Sequence, residues 1–583
     1  MSKQAKKSRN AKEKIVFACL WLFLLLPNIL GLFLAEDLLT SGQRCLYFIG
    51  AIALYTFGLT IFRRRTFLYI ASAGLLFEGV EIVHLIINQA TTSMLFIFTI
   101  IKSEKGEFFE LLSMYWFGVL IFFAIIGVYY YLAHKYIRDR WIGRQSHRII
   151  VGVLIGVFFI LSAVMLNTRP KFRNIFNTQA KDERTAAWVG VEKICPINHL
   201  LGLYHIARLG YDIRSDAAMV EGFTFGVPEA ANDPNTVVLF LIGETSRYDH
   251  WSINGYERET SPRLQQRADH LVSFDNCYSV ANLTTVSVPF ILSRATPAHM
   301  DIYTKERSVV EAFQEAGYRT SWIADQSFNN HFLLRIAATC DNSVYINDNG
   351  KNLFTDSLLL IPLAEELAHG GRQMIVLHSL GCHFKYSERY PNTFQVWSPD
   401  MKGFDIWSTL RSVDDDVDGM APSNNLAVIN NLRTILVNSY DNALLFSDFF
   451  IDAVIAELEA SRRPVVLVYV GDHGENLFDD ERNMFLHGTF AGSEYEYHVP
   501  LFVWTSTAYE QEHPTEVQAL KDNKAKYFTT MNIFHSLLNL GSIDYNKYDP
   551  NHSFSSPQMV SDSILYGLDA NLQMMELPVV ATH

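Results

Sequence analysis

Val465-Val466-Leu467-Val468-Tyr469-Val470 runs directly into Gly471-Asp472-His473-Gly474-Glu475, and the reading of this junction decides the fold. A short run rich in β-branched residues, bounded by glycine, reads as a buried strand. In open α/β sheets, ligands bind beyond the carboxyl ends of the strands. The junction therefore places a carboxylate and an imidazole side by side where such a site is built. Glycines on both sides let the backbone turn tightly. Aspartate oxygen and histidine nitrogen are both zinc ligands. An isolated Asp-His pair is more often a turn with a surface histidine, so the reading rests on what else the chain brings to the same place.

Outward from this junction lie further strand-like runs at Thr236–Ile242, Thr320–Ala324, Met374–Leu377 and Leu501–Trp504. Helix-like stretches separate them at Ser308–Ala316, Leu358–Ala368 and Leu426–Leu458. This alternation predicts one large α/β domain over residues 236–583, a mostly parallel sheet sandwiched by helices. Polar groups gather at the strand ends. Glu244 follows the first run, in Gly243-Glu244-Thr245-Ser246-Arg247. His378-Ser379-Leu380-Gly381-Cys382-His383 follows another, and Leu486-His487-Gly488 comes shortly after the Asp-His pair. Two acids and a histidine at neighbouring strand ends can surround one cation. The nucleophile candidate lies in Asn282-Leu283-Thr284-Thr285-Val286-Ser287-Val288-Pro289. Thr284 resembles an N-cap, and a helix N-terminus offers amides and positive potential to a phosphate. A hydroxyl bound to zinc loses its proton near neutral pH, as zinc-bound water does, and becomes a nucleophile. Thr285, Ser287 and Ser246 are rival hydroxyls.

Residues 1–166 read as a membrane anchor. Five apolar runs, about Ile15–Ala35, Cys45–Phe62, Thr66–Ile87, Ser113–Ala133 and Ile149–Leu166, each approach the ~20 residues that cross a bilayer. No signal-peptidase pattern ends the first run, which reads as a retained helix. Lys3, Lys6, Lys7, Arg9, Lys12 and Lys14 precede the first run, Arg63-Arg64-Arg65 follow the second, and Lys135, Arg138, Arg140, Arg144 and Arg148 follow the fourth. The opposite connections carry Arg44, Lys102 and Lys105 alone. The bias predicts a cytoplasmic N-terminus. Everything after Leu166 is then outside, in the periplasm of a bacterial cell. Residues 167–235 read as a juxtamembrane connector.

Charge divides the same way, with 17 Lys and Arg against 9 Asp and Glu up to residue 166, and 31 against 52 beyond it. So acidic an outer part lacks the basic footprint of a nucleic-acid binder and suits metal ions or lipid-borne substrates. Glu78, Glu81 and His84 fall inside the third run, where ionisable groups mark a polar cavity or pair between helices. Ser103-Glu104-Lys105-Gly106-Glu107, continuing to Glu110, is either a headgroup-facing or a solvated acidic loop. Cys19 and Cys45 lie in spans. Cys195, Cys277, Cys340 and Cys382 fall outside, where disulfides form in three alternative pairings.

Gly243–Arg247, with Ser252-Ile253-Asn254-Gly255-Tyr256 and Arg258-Glu259-Thr260-Ser261-Pro262, resembles the signature of the bacterial phosphoethanolamine transferases. These belong to the alkaline phosphatase/sulfatase superfamily and include the lipid A-modifying colistin-resistance enzymes. Thr284–Pro289 is similar to the family's Thr-x-x-Ser-Val-Pro nucleophile motif, which selects Thr284 over Thr285. Gly471–Glu475 and Leu486–Gly488 resemble its metal and substrate motifs. His378–His383 followed by Arg389-Tyr390-Pro391 resembles its His-x-x-Gly-x-His…Arg-Tyr-Pro segment, and the five-span anchor is similar too.

The resemblance implies that Glu244, Thr284, Asp472 and His473 hold a catalytic Zn2+. His383 and His487 would then serve the phosphoryl group, the acceptor or a second metal. It implies a monomeric inner-membrane enzyme that moves phosphoethanolamine from phosphatidylethanolamine to Thr284, and from there to lipid A or the lipopolysaccharide core. One departure matters. Cys277 precedes the nucleophile motif, but Phe290 follows Pro289 where the lipid A enzymes place a partner cysteine. The acceptor therefore need not be lipid A. Cys382-His383-Phe384-Lys385-Tyr386 and Tyr545-Asn546-Lys547-Tyr548-Asp549-Pro550 resemble the branch acting on core sugars. The alternatives are a phosphoglycerol transferase or sulfatase-like hydrolase on the same fold, or a non-catalytic lipid-binding membrane protein. The last would be expected to lose ligands, and all four are present.

Overall fold

The computed structural model describes the chain except residues 1–2, 35–40, 89–90, 93–115, 169–193, 201–202, 205–219, 221, 231–232, 326–330, 347–354, 403–424, 481, 483, 489–491, 570–571 and 580–583. The acidic loop 103–110 and most of the expected connector lie outside the described residues. The chain forms two units, Met1–Ile101 with Phe109–Ala207, and Lys102–Phe108 with Arg208–His583.

In the first unit, helices cover the described parts of all five apolar runs. Lys3–Leu24 and Leu26–Leu34 carry the first, Ser41–Ile61 the second, and Arg64–Ala71 with Leu75–Asn88 the third. Trp116–Tyr136 and Gln145–Thr168 carry the fourth and fifth. Among the described residues no single helix is long and apolar enough to cross a membrane. Two bent pairs meet that test together, Asn10–Leu24 with Leu26–Leu34 across 50°, and Arg64–Gly74 with Phe77–Leu85 across 56°. The first bend sits just before Pro27, which has no amide to continue the helical ladder. The three basic segments that the charge rule assigns to one side meet around the buried Glu13, 3.0 Å from Arg140, 3.7 Å from Arg64 and 3.9 Å from Arg138. The acids of the third run are also engaged. Glu78 accepts from Tyr55 at 3.2 Å, and Glu81 accepts from the Thr92 amide and, at 2.8 Å, from Asn198.

The second unit is built on a seven-stranded sheet of β1 (Val237–Gly243), β2 (Leu271–Phe274), β3 (Arg319–Ala324), β4 (Asn342–Tyr345), β5 (Gln373–His378), β6 (Val465–Gly471) and β7 (Leu501–Thr505), in the order β2-β7-β6-β1-β5-β3-β4. The five strands from β6 to β4 are parallel. β7 runs antiparallel to both β6 and β2, which makes the sheet mixed. The reversal has a simple cause: among the described residues, segment 472–500 between β6 and β7 carries a small two-stranded hairpin and the one-turn helix Glu494–Tyr497, and no long crossover helix of the kind that joins a parallel pair. All five strand-like runs of the sequence are strands. β2 and β4 escape a reading by periodicity because each is short and interrupted by polar residues, and β4 is half exposed. The helices Val309–Glu315, Leu360–Leu367 and Asn425–Ala460 occupy the expected stretches. The first opens with a capping box of Ser308 and Glu311.

Every residue of β1 and β6 is buried, as strands covered on both faces must be. Val238, Phe240 and Ile242 share one core with Val466, Val468 and Val470 and with helix residues such as Phe313, Ile336 and Leu537. Truncating Phe240 at the centre of this core removes an aromatic ring with no solvent to replace it. Phe240→Ala is expected to lower the unfolding free energy by about 3–5 kcal/mol, read as a fall in the denaturation midpoint of the detergent-solubilised chain.

Candidate active site

β1 and β6 are paired residue for residue, Val237 with Val465 through to Gly243 with Gly471. The next residues, Glu244 and Asp472, therefore leave the sheet side by side, and the Asp472 amide donates to Gly243 O at 3.0 Å. Asp472 Oδ1 accepts from the amides of Thr245 at 3.0 Å and His473 at 2.7 Å. His473 Nδ1 lies 2.8 Å from Gly474 O. A proton on Nδ1 makes that bond and turns the Nε2 lone pair toward Glu244 Oε1 at 3.5 Å and Asp472 Oδ2 at 3.6 Å. Ligand atoms of Glu244, Asp472 and His473 all lie within 4.8 Å of one another.

Thr284 completes the group. Its Oγ1 is 3.1 Å from both Glu244 oxygens and 3.1 Å from His473 Nε2. It is the first residue of the helix Thr284–Ile291, and Leu283 holds the cap position. The expected N-cap role of Thr284 is thus corrected: its hydroxyl is turned to the acids and not back onto its own helix. The rival Ser246 is occupied by Trp251 Nε1 at 3.0 Å and Tyr469 OH at 3.1 Å. Ser287 is buried within the helix, while Thr284 stays half-exposed.

Tight backbone approach sets these loops. A Cβ on Gly474 would stand 2.0 Å from Tyr495 O, and one on Gly381, at φ +50°, 2.8 Å from Glu244 O. Thr245 adopts φ +53°, a conformation disfavoured for a β-branched residue. It is held there by Tyr440 OH, which donates to Thr245 O at 2.7 Å. Buried Arg247 then ties this loop to Asp249, Asp479 and the carbonyl of Glu475.

His487 lies against His473 with ring centroids 4.2 Å apart, and His383 is 6.4 Å from His487. The structure thus brings both histidines beside the acidic cluster. Two supporting residues went unassigned in the sequence reading. Glu475 Oε1 lies 3.1 Å from His487 Nδ1. Asp356 accepts from the amides of Leu380 at 2.7 Å and Gly381 at 2.9 Å, shaping the loop that carries His383. Glu475 was legible in its motif, but nothing local marks Asp356. All six cysteines are free thiols.

Residues 236–543 match the sulfatase family. This chain belongs to that family. It is 28% identical over 397 residues to the Kdo(2)-lipid A phosphoethanolamine 7''-transferase of Escherichia coli K12, a match covering 66% of this chain and 64% of the relative, just under two thirds of its length. The zinc complex of the C-terminal periplasmic domain of EptC from Escherichia coli is 25% identical, with a TM-score of 0.50, over 60% of this chain and 96% of that domain. The integral membrane phosphoethanolamine transferase EptA from Neisseria meningitidis shares the fold over 82% of this chain and 85% of its own, with a TM-score of 0.62 and 22% identity. These likenesses bear out the resemblance that the motifs carry.

The donor set of this sulfatase-family site fits a divalent cation such as Zn2+. Asp472 Oδ2 is buried and has no hydrogen-bond partner among the described residues. One Thr284 proton cannot satisfy three acceptor atoms at 3.1 Å. Electrostatics point the same way. Burial, and then the charge of Glu244, push the Asp472 carboxyl up. Burial pulls His473 down, but the carboxylates of Asp472 and Glu244 outweigh it and raise the imidazole. Burial raises Glu475 to about 8. Metal-free, the cluster holds protons where a cation would otherwise hold it together.

The folded state therefore binds more protons than the unfolded chain across the window from the ordinary 4.5 of Glu475 to its folded value of about 8, and stability falls as pH rises through it. Chelator-stripped protein is expected to melt at a progressively lower temperature across that window. Added Zn2+ should restore more of the loss at the alkaline end, where fewer protons compete. A thermal-shift series with and without Zn2+ checks both; a flat profile for the stripped protein contradicts the assignment.

Proposed function

We propose that this protein transfers phosphoethanolamine from phosphatidylethanolamine to an outer-envelope glycolipid, lipid A or lipopolysaccharide core, through a covalent adduct on Thr284. One observation carries the reading. A half-exposed threonine at the start of a helix has its hydroxyl 3.1 Å from both oxygens of a buried glutamate and from a buried imidazole. The family, and relatives named for phosphoethanolamine transfer, support it. The finer architecture belongs to the same proposal: five membrane spans in the bacterial inner membrane, a cytoplasmic N-terminus, a connector over 167–235, a periplasmic catalytic domain from 236, and a monomer.

Glu244, Thr284, Asp472 and His473 would hold Zn2+, which, when bound, lowers the pKa of the threonine hydroxyl and offsets charge on the phosphoryl oxygens. Thr284, its hydroxyl proton already released to solvent, forms the new Oγ1–phosphorus bond as the phosphorus–oxygen bond to diacylglycerol breaks. The departing diacylglycerol oxygen takes up a proton, which His487, oriented by Glu475, would supply from its second ring nitrogen. The N-terminus of the Thr284 helix adds positive potential beside the phosphate. In the return step, a glycolipid hydroxyl or phosphate oxygen gives up its proton to the same histidine, which restores it, and attacks phosphorus; the phosphorus–Thr284 bond breaks and Thr284 leaves as the deprotonated oxygen with which the cycle began. His383 would contact the phosphoryl group, the acceptor or a second metal. The acceptor is open to core sugars because Phe290 stands where the lipid A enzymes have a cysteine.

Incubation with ethanolamine-labelled phosphatidylethanolamine is expected to label the wild type on Thr284 and to leave Thr284→Ala unlabelled. Retained label in the variant rules out Thr284, and turnover of phosphatidylglycerol in preference assigns the phosphoglycerol branch instead. Glu244→Ala and Asp472→Ala are expected to abolish transfer, a loss beyond about 10³-fold by analogy with removal of a transition-state electrostatic group, while the protein stays folded by circular dichroism.

A further inference from the structure

The first unit contains a second group of metal-ligating side chains, far in sequence from the Thr284 site. Cys195 and His199 stand four residues apart, Cys195 in the turn that precedes the short helical stretch 197–200 and His199 within it. Glu81, on the helix Leu75–Asn88, meets them there. One ligand atom from each of Glu81, Cys195 and His199 lies within 4.8 Å of the other two. All three residues are 1% exposed.

The group has the supporting contacts expected of a built site. Asn198 Oδ1 lies 2.8 Å from His199 Nδ1, so a proton on Nδ1 leaves the Nε2 lone pair toward Glu81 Oε2, 3.7 Å away. His199 Nε2 is buried without a hydrogen-bond partner among the described residues. The same Asn198 donates through Nδ2 to Glu81 Oε2 at 2.8 Å, so one amide orients two donors. This is the arrangement by which outer-shell groups fix metal ligands. Asn28 grips the backbone of Cys195 from both sides, its Nδ2 donating to Cys195 O at 3.0 Å and its Oδ1 accepting from Cys195 N at 3.1 Å.

We propose that Glu81, Cys195 and His199 bind a second divalent transition-metal ion, of the zinc class, within the membrane-associated unit. Sulfur, imidazole nitrogen and carboxylate oxygen together suit zinc, and a calcium or magnesium site would use oxygen alone. Bonds of about 2.0–2.3 Å reach all three donors after small side-chain rotations. The thiol gives up its proton on binding, as metal-ligating cysteines do. Such an ion would clip the segment carrying Cys195 and His199 to the helix carrying Glu81. It has no part in phosphoryl transfer.

The test uses the full chain in detergent, kept reduced with a phosphine, stripped by chelator and titrated with Co2+. A thiolate bound to Co2+ gives a charge-transfer absorption in the near ultraviolet. The Thr284 site contains no sulfur, so this signal is blind to it and independent of whether that site transfers phosphoethanolamine. Wild type and Asp472→Asn are both expected to show the band. Cys195→Ser is expected to lose it, together with one equivalent of bound zinc, and His199→Gln to weaken Co2+ binding at least tenfold. Should the Cys195 variant fail to fold, a chain retaining Cys195 as its sole cysteine should still give the band. No thiolate band in the wild type, or a band that survives Cys195→Ser, overturns the proposal.

Discussion

The in-register pairing of β1 with β6 is the constraint on which the catalytic arrangement depends. Parallel neighbours lie ~4.8 Å apart, so residues that follow paired positions leave the sheet at nearly that separation. Gly243 pairs with Gly471, and the next residues on the two strands are Glu244 and Asp472. A shift by one residue would turn one of the acids to the opposite face. The register is in turn held by the core, where alternate residues of both strands are packed among helix side chains. Hydrophobic burial several residues away thus sets the distance between two carboxylates.

Two buried acids beside an imidazole are costly unless charge is balanced. The fold supports the arrangement with backbone amides to Asp472 Oδ1, a carbonyl to His473 Nδ1 and a left-handed Thr245 held by Tyr440. None of these contacts uses Asp472 Oδ2 or His473 Nε2, which face the threonine. Structural contacts occupy one atom of each ligand and leave the other for the site. The same division of labour recurs around Glu81 and His199, where Asn198 serves both residues.

Relatives named for phosphoethanolamine transfer share this scaffold over most of the chain. Cys277 is a buried free thiol, and the helix behind Thr284 continues through Phe290 in the core. Packing of this helix in the core and the contact with Glu244 hold Thr284 in position.

Much of this was legible in the residues alone. Five strands, the apolar helices of the first unit, and the acids and histidines at strand ends follow from hydrophobic periodicity and from glycine-flanked polar motifs, all of which are local. β2 and β4 were not legible, because each is short and mixes polar with apolar residues, LVSF and NSVY, instead of forming the unbroken apolar run of the central strands. Nor was the reversal of β7, since strand direction depends on the path of the connecting segment. The orientation of Thr284, the support of His487 by Glu475, and the hold of Asp356 on the His383 loop are tertiary facts, joining residues that sequence separates. The clearest case is Glu81 with Cys195 and His199. The acid was visible as an expensive residue within an apolar run, but its partners lie more than a hundred positions away. A sequence declares which side chains need company; only chain folding, through register and packing, decides which ones they find.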